Sequence, residues 1–173
     1  MDLTWKSLSI AVAVLAGFGL VLIWVLGAQS KREVVVGLNQ EIQFDDFAFS
    51  ALGTRKASAL GGQGDQKPSE GLYYVVTFKI ANHARRVDFE YNPTTTVLVD
   101  GAGREYRVSA QEGACKEAIP AGGYCVTELV FDVPADINNP HIKMSFGKVG
   151  DFLDTIFYGK RKIALEPQGR ASQ

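Results

Sequence analysis

Few side chains in this sequence could do chemistry. Cys115 and Cys125 are the only cysteines among 173 residues, and they flank the segment KEAIPAGGY. Pro120-Ala121-Gly122-Gly123 can fold that segment back and bring the two Cα atoms within disulfide range. In an oxidising compartment a bond is the favoured state. Closing so short a loop stabilises by roughly 2.5–3 kcal/mol in the chain-entropy picture. Two thiolates alone do not complete a tetrahedral metal site, and the spacing is far from a redox C-x-x-C. His83 and His141 are the only histidines. Either could serve as a general base or a copper or zinc ligand, but neither has a second ligand at a suitable spacing. His141 and Met144 make a copper-like pair on paper, yet strand positions three apart point to opposite faces. A surface or strand-end imidazole is the better reading of both.

Asp45-Asp46 could be half of a Ca²⁺ site, but no further oxygen ligands follow at a recognisable spacing. Serine-nucleophile, dinucleotide, P-loop and zincin motifs are absent. Asn92-Pro93-Thr94 is no glycosylation acceptor, because proline fills the middle position. No catalytic residue, cofactor site or metal site is therefore assigned, and a non-enzymatic role is expected. The aromatics Tyr73, Tyr91, Tyr106, Tyr124, Phe157 and Tyr158 could form a binding patch, but cross-strand pairing explains them more simply. Net charge is −1, with 18 Lys+Arg against 19 Asp+Glu. No global field attracts nucleic acid. The short basic clusters Arg85-Arg86 and Lys160-Arg161-Lys162 read as strand ends or edge protection, with a membrane-surface contact as the second reading.

The compartment is set by residues 1–30. Their core, Leu8 to Leu26, is apolar and uncharged, long enough as a helix to cross the roughly 30 Å hydrocarbon layer. An uncleaved transmembrane anchor is expected. The alternative is a long signal sequence cut after the small-residue run Ala28-Gln29-Ser30, but signal cores are only about 7–15 residues. No cysteine follows the run, so a lipid-modified terminus is excluded. Lys31 and Arg32 beyond the run outweigh Lys6 before it and lean towards a cytoplasmic domain. Large domains translocate largely regardless of such charges, and the cysteine pair favours the outside. The expected localisation is the cell membrane, single-pass, with the C-terminal domain extracytoplasmic.

The elements that must position these residues read as strands. Residues 31–38 form a linker or a first short strand at Glu33–Val36. Residues 39–166 form one β-sandwich domain, and 167–173 a disordered tail. In EIQFDDFAFSAL, Ile42 and Phe44 fall out of phase with Phe47, Phe49 and Ala51, which predicts a β-bulge at Asp45-Asp46. Thr54 to Glu70, rich in glycine and polar residues, reads as a long mobile loop. Gly71 to Asn82 is the clearest strand, with Leu72, Tyr74, Val76, Phe78 and Ile80 on one face. Val87, Phe89 and Tyr91 alternate next. Thr95 to Val99 leads through the turn Asp100-Gly101-Ala102-Gly103 to Tyr106-Arg107-Val108. Gly123 to Pro134 points Leu129, Phe131 and Val133 inward. His141 to Phe146 and Asp151 to Leu165 close the chain. Many short strands without a helical period argue a mostly β chain, an antiparallel sandwich behind one N-terminal transmembrane helix.

YVVTFKIAN (Tyr74–Asn82), DGAGREY (Asp100–Tyr106) and PAGGYCVTELVFDVP (Pro120–Pro134) occur in the order of a bacterial family that the chain resembles. That family comprises extracytoplasmic domains of unknown function, membrane-anchored or secreted. Its members have a long strand ending in Asn, a D-x-x-G-x-x-aromatic hairpin, and a P-x-G turn opening a strand that closes in F-x-V-P. The resemblance spans roughly Asn39 to Leu165 and implies an immunoglobulin-like, telokin-like sandwich, with no catalytic residues to carry over. Two features depart from it: the absence of a lipid-attachment cysteine and the presence of the Cys115–Cys125 pair. The expected role is a membrane-tethered interaction module, partnered by the membrane and an envelope protein. The alternative is an envelope ligand carrier or metal chaperone.

Overall fold

A computed structural model describes residues 33–60, 67–145 and 159–166, together with Val14 and Gly17. Val14 and Gly17 are helical. The rest of the expected anchor lies outside the described residues, as do Phe157, Tyr158 and the tail. Among the described residues no helix is long and apolar enough to cross a membrane. The strands are β1 (Glu33–Val36), β2 (Ile42–Phe44), β3 (Phe47–Ala57), β4 (Gly71–Asn82), β5 (Thr96–Val99), β6 (Glu105–Gly113), β7 (Tyr124–Pro134), β8 (His141–Met144) and β9 (Lys160–Ala164). One 3-10 turn, Pro93–Thr95, precedes β5, and the Asn92 carboxamide oxygen accepts from the Thr94 N–H at its start.

Hydrogen bonding runs β1-β9-β8-β5-β6-β7-β4-β3-β2. β6 belongs to two layers. Its Tyr106 and Arg107 pair with Leu98 and Val97 of β5, whereas Val108 to Gly113 pair with β7. The register shifts between Val108 and Ala110. An extra residue bends and twists a strand, so the ladder turns a corner there. The first layer is β1, β9, β8, β5 and the start of β6; the second is the rest of β6 with β7, β4, β3 and β2. Every pairing is antiparallel except β1 with β9, which is parallel. This mostly β sandwich agrees with the expected class, and Glu33–Val36 is its parallel edge strand.

The interior is one apolar cluster. Tyr74, Val76, Phe78 and Ile80 of β4 and Leu129, Phe131 and Val133 of β7 face Leu98, Ile142 and Ile163 of the opposite layer. All ten are almost completely buried, and ring contacts such as Phe49 on Phe78, centroids 6.1 Å apart, fill the space. Among the described residues no buried side-chain polar atom lacks a partner.

Two local expectations are corrected. Asp45-Asp46 is not a bulge but the two-residue turn of a β2–β3 hairpin, with Phe44 opposite Phe47 and Ile42 opposite Phe49. Chain reversal, not an inserted residue, returns both apolar sets to one face. Asp45 takes a φ of 52° there, which a short polar side chain tolerates. The irregularity lies further on, between Ala51 and Gly53. The second correction is that Thr54 to Ala57 continue β3, paired with Val76 to Tyr73. Their exposure erases the apolar alternation that a sequence reading needs. Leu60 and Ser69, beyond the end of β3, are tied down as well. Leu60 packs on Tyr73, Val75 and Val130. The Asp132 carboxylate accepts from the Ser69 N–H and hydroxyl at 2.7 and 2.6 Å and from the Glu70 N–H at 2.9 Å.

Candidate functional site

At one end of the sandwich, the β5–β6 turn, the β7–β8 loop and the tips of β8 and β9 enclose a groove of about 630 Å³. Asp100, Asn139, His141, Lys162 and Glu166 line it, with Val99, Pro140 and Ala164 between them. The DGAG turn builds its floor. Asp100 is buried, and its carboxylate accepts from the Ala102 N–H (2.9 Å), the Arg104 N–H (2.9 Å), the Arg104 guanidinium (2.6 Å) and the Tyr106 hydroxyl (3.2 Å). Loss of water raises the carboxyl's pKa, but the bonds from Arg104 and Ala102 outweigh that and hold it below its ordinary value. Gly101 donates its N–H to the Asn138 carbonyl at 2.8 Å. A Cβ on Gly101 would fall onto the Asn138 side chain, so the close approach of the two loops needs glycine.

The opposite wall is charged. Lys162 pairs with Glu33 of β1 at 2.5 Å, and the bond holds the Glu33 carboxyl below its usual range. His141 stands half-buried beside them, across from Ala164. Burial, then the Lys162 charge, lowers its pKa, so the groove presents a neutral imidazole near pH 7. The arrangement presents a half-buried imidazole and the Lys162–Glu33 ion pair above a carboxylate whose oxygens are taken up by its own turn. No acid–base–nucleophile relay joins them.

At the other end, the disulfide predicted from sequence is present: Cys115 and Cys125 are bonded with Cα atoms 5.5 Å apart. The Gln111 carboxamide donates to the Cys115 carbonyl at 3.2 Å. A hollow of about 450 Å³ lies beside the bridge, lined by Glu117, Ala118, Pro120 and Tyr124. His83 is exposed nearby, its backbone N–H bonded to the Asp46 carbonyl at 2.7 Å. Met144 faces the core, its sulfur accepting from the Thr96 hydroxyl at 3.6 Å, while His141 faces outward. The copper-like pair is thus split across the layer. Among the described residues no cluster of His, Cys, Asp and Glu could hold a metal ion.

The four described members of the aromatic set, Tyr73, Tyr91, Tyr106 and Tyr124, do not share one face. Tyr91 is in the core, bonded to Thr96 at 2.7 Å, and burial pushes its phenol far above the usual range. Tyr73 lies on the outer side of the second layer, Tyr106 supports Asp100, and Tyr124 is 67% exposed. The groove escapes a sequence reading, although DGAGRE carries a signal. Asp at the head of a turn with an arginine four residues later is the pattern of a side-chain-capped hairpin. Lys162 and Glu166 give no signal, since only the β8–β9 pairing brings their strand beside His141.

A two-layer sandwich of this kind, with its polar groove at the strand ends, belongs to the class of small β-sandwich domains. The chain is a member of the family "Domain of unknown function (DUF4352)", whose model matches residues 36–153. Among curated proteins none is significantly similar. Several solved structures share the fold. The secreted protein MPT63 of Mycobacterium tuberculosis is 15% identical, with a TM-score of 0.53 over 80% of this chain and 100% of its own. An uncharacterized β-sandwich protein of Clostridium difficile 630 is 11% identical, with a TM-score of 0.53 over 79% of this chain and 96% of its own. The yjhA protein of Bacillus subtilis is 8% identical, with a TM-score of 0.53 over 76% of this chain and 99% of its own. At such identities the likeness is one of fold.

Proposed function

We propose that this chain is a membrane-tethered, extracytoplasmic, immunoglobulin-like binding module that recognises an envelope protein without catalysis. The observation that carries the reading is the division of the molecule into a filled interior and a polar groove at one end. Phe49, Tyr74, Phe78 and Phe131 occupy the space between the layers, so recognition belongs on the surface. The Asp100–His141–Lys162 groove is the place where fixed polar groups converge. The extracytoplasmic placement is supported by the Cys115–Cys125 bond and by the description of MPT63 as secreted. The tether is supported by the uncharged apolar run at 8–26. The groove's volume lies in the range of small-ligand sites, which favours an envelope ligand carrier as the second reading.

Three experiments test this. A membrane-impermeant maleimide applied to intact cells labels Cys115 and Cys125 only after reduction if the domain is outside. Labelling that needs permeabilisation but no reductant puts it in the cytoplasm and ends the envelope reading. A photo-crosslinker at position 162 then yields a discrete protein adduct for an interaction module. A small molecule that co-purifies with the chain and leaves with Lys162→Glu favours the carrier.

A further inference from the structure

The end of the sandwich opposite the groove carries features that neither the fold nor the groove uses. Val87 is 62% exposed and Tyr124 is 67% exposed; either alone is ordinary on a protein surface. They belong to one surface. The buried Asn82 carboxamide donates to the Val87 carbonyl at 2.8 Å and to the Ile119 carbonyl at 3.0 Å. The Asn82 N–H bonds to the Gly123 carbonyl at 2.9 Å, one residue before Tyr124. The Asp88 carboxylate accepts from the Ala121 N–H at 3.3 Å, tying the two loops together again. Arg85 and Arg86, both exposed, precede Val87, and the Lys79 ammonium lies 5.5 Å from the Tyr124 ring. Apolar tips bracketed by long cationic side chains are what the boundary between headgroups and acyl chains accommodates, with tyrosine at headgroup depth.

The strand pairings place the start of β1 at this same end. Glu33 pairs with Lys160, β9 runs antiparallel to β8, and Met144 at the end of β8 pairs with Thr96. The chain before Thr96 leads directly back to Phe89, which bridges Ile119 in the disulfide loop. Between the apolar run ending at Leu26 and Glu33 stand only residues 27–32. Fully extended, that segment reaches about 20 Å, of which the headgroup layer takes about 5–8 Å. With 8–26 in the bilayer, such a tether keeps the end bearing Val87 and Tyr124 within about 15 Å of the headgroups.

Resting on the reading that 8–26 is a retained anchor, we infer that the Arg85–Val87 loop and Tyr124 form a second, interfacial contact with the lipid surface. That contact stands the domain upright and turns the Asp100–His141–Lys162 groove away from the membrane. Asp45, Asp46, Asp88, Glu90 and Glu117 share this end, and Lys79 is itself paired with Glu41, so the contact depends on insertion of Val87 and Tyr124 and needs no anionic lipid.

The test uses the full chain in phosphatidylcholine nanodiscs, with its native cysteines disulfide-bonded. Val87→Cys, Tyr124→Cys and Asp136→Cys each give one thiol for an environment-sensitive fluorophore; Asp136 lies at the groove end. Lipid carrying a headgroup nitroxide should cause a loss of emission at 87 and 124 but not at 136. Equal emission at all three positions, with the chain retained in the disc, would overturn the inference and leave the anchor standing. A probe at 87 shielded from aqueous quencher but untouched by the nitroxide means that protein covers this end, which also overturns it. A chain that leaves the disc defeats the anchor reading and the inference with it.

Discussion

The two layers of the sandwich solve different problems. In the layer of β7, β4 and β3, the central strands are buried on both faces. Phe78 and Phe131 point inward, while Val75 and Val130 on the outer side are covered, with Leu60 and Ala110 packed against them. In the layer of β9, β8 and β5, one outward row reads Arg107, Val97, Lys143, Lys162 and Val35 across the paired strands. Two of its cations are bonded to rim carboxylates, Lys143 to Glu105 and Lys162 to Glu33. The long-strand layer spends its sequence on packing, with apolar residues in both phases. The other uses short strands whose outer row sets Lys143 and Lys162 beside the buried Val97, and it is this layer that borders the groove. Stability and recognition are thus separated by layer, and substitutions should show it.

The largest effect is expected inside the long-strand layer. Phe131→Ala removes a fully buried ring and should cost about 3–5 kcal/mol, read as a lower denaturant midpoint with an unchanged slope. Replacing Cys115 and Cys125 together by serine should cost roughly 2.5–3 kcal/mol; reducing agent should then no longer shift the melting curve. Val130→Ala probes the unusual outer burial and should cost about 1.5–2.5 kcal/mol. A loss below ~0.5 kcal/mol there would mean that the outer cluster is not a second core and that the contrast between the layers fails.

Legibility in the sequence depends on the same contrast. Gly71 to Asn82 can be read as a strand from end to end because Leu72, Tyr74, Val76, Phe78 and Ile80 keep one phase on the core. Residues 54–57 cannot, since β3 there carries Thr54, Arg55 and Lys56 to solvent, and what holds it is pairing with β4 and contacts such as Arg55 with Glu128, which come from distant parts of the chain. The β2–β3 turn misleads for a related reason: a hairpin with an even-numbered turn produces the same phase break as a bulge, and only pairing tells them apart. The disulfide is visible because its partners are near in sequence. The groove is not, because Asp100, His141 and Lys162 come from separate strands and meet through the β5–β8–β9 ladder.

The smallest expected effects lie at the groove, where pH separates them from packing. The folded state holds the Asp100 carboxyl below its ordinary value, so its contribution is full above that ordinary value and is lost as pH falls towards the folded one. Asp100→Asn should flatten the acid limb of the stability profile. His141 is also depressed; the unfolded chain takes up its proton first, so stability begins to fall below about pH 6.5 and stops falling once the folded imidazole is protonated. Lys162→Ala removes a partly exposed pair with Glu33 and should cost no more than about 1 kcal/mol. Its signature is elsewhere: without the ammonium, the His141 pKa should rise in an NMR titration, yet remain below the ordinary value because burial is the larger cause of its depression. A full return to the ordinary value would mean that the groove is wetter than its packing implies. No movement at all would mean that Lys162 does not face His141, and the polar wall of the short-strand layer would have to be redrawn.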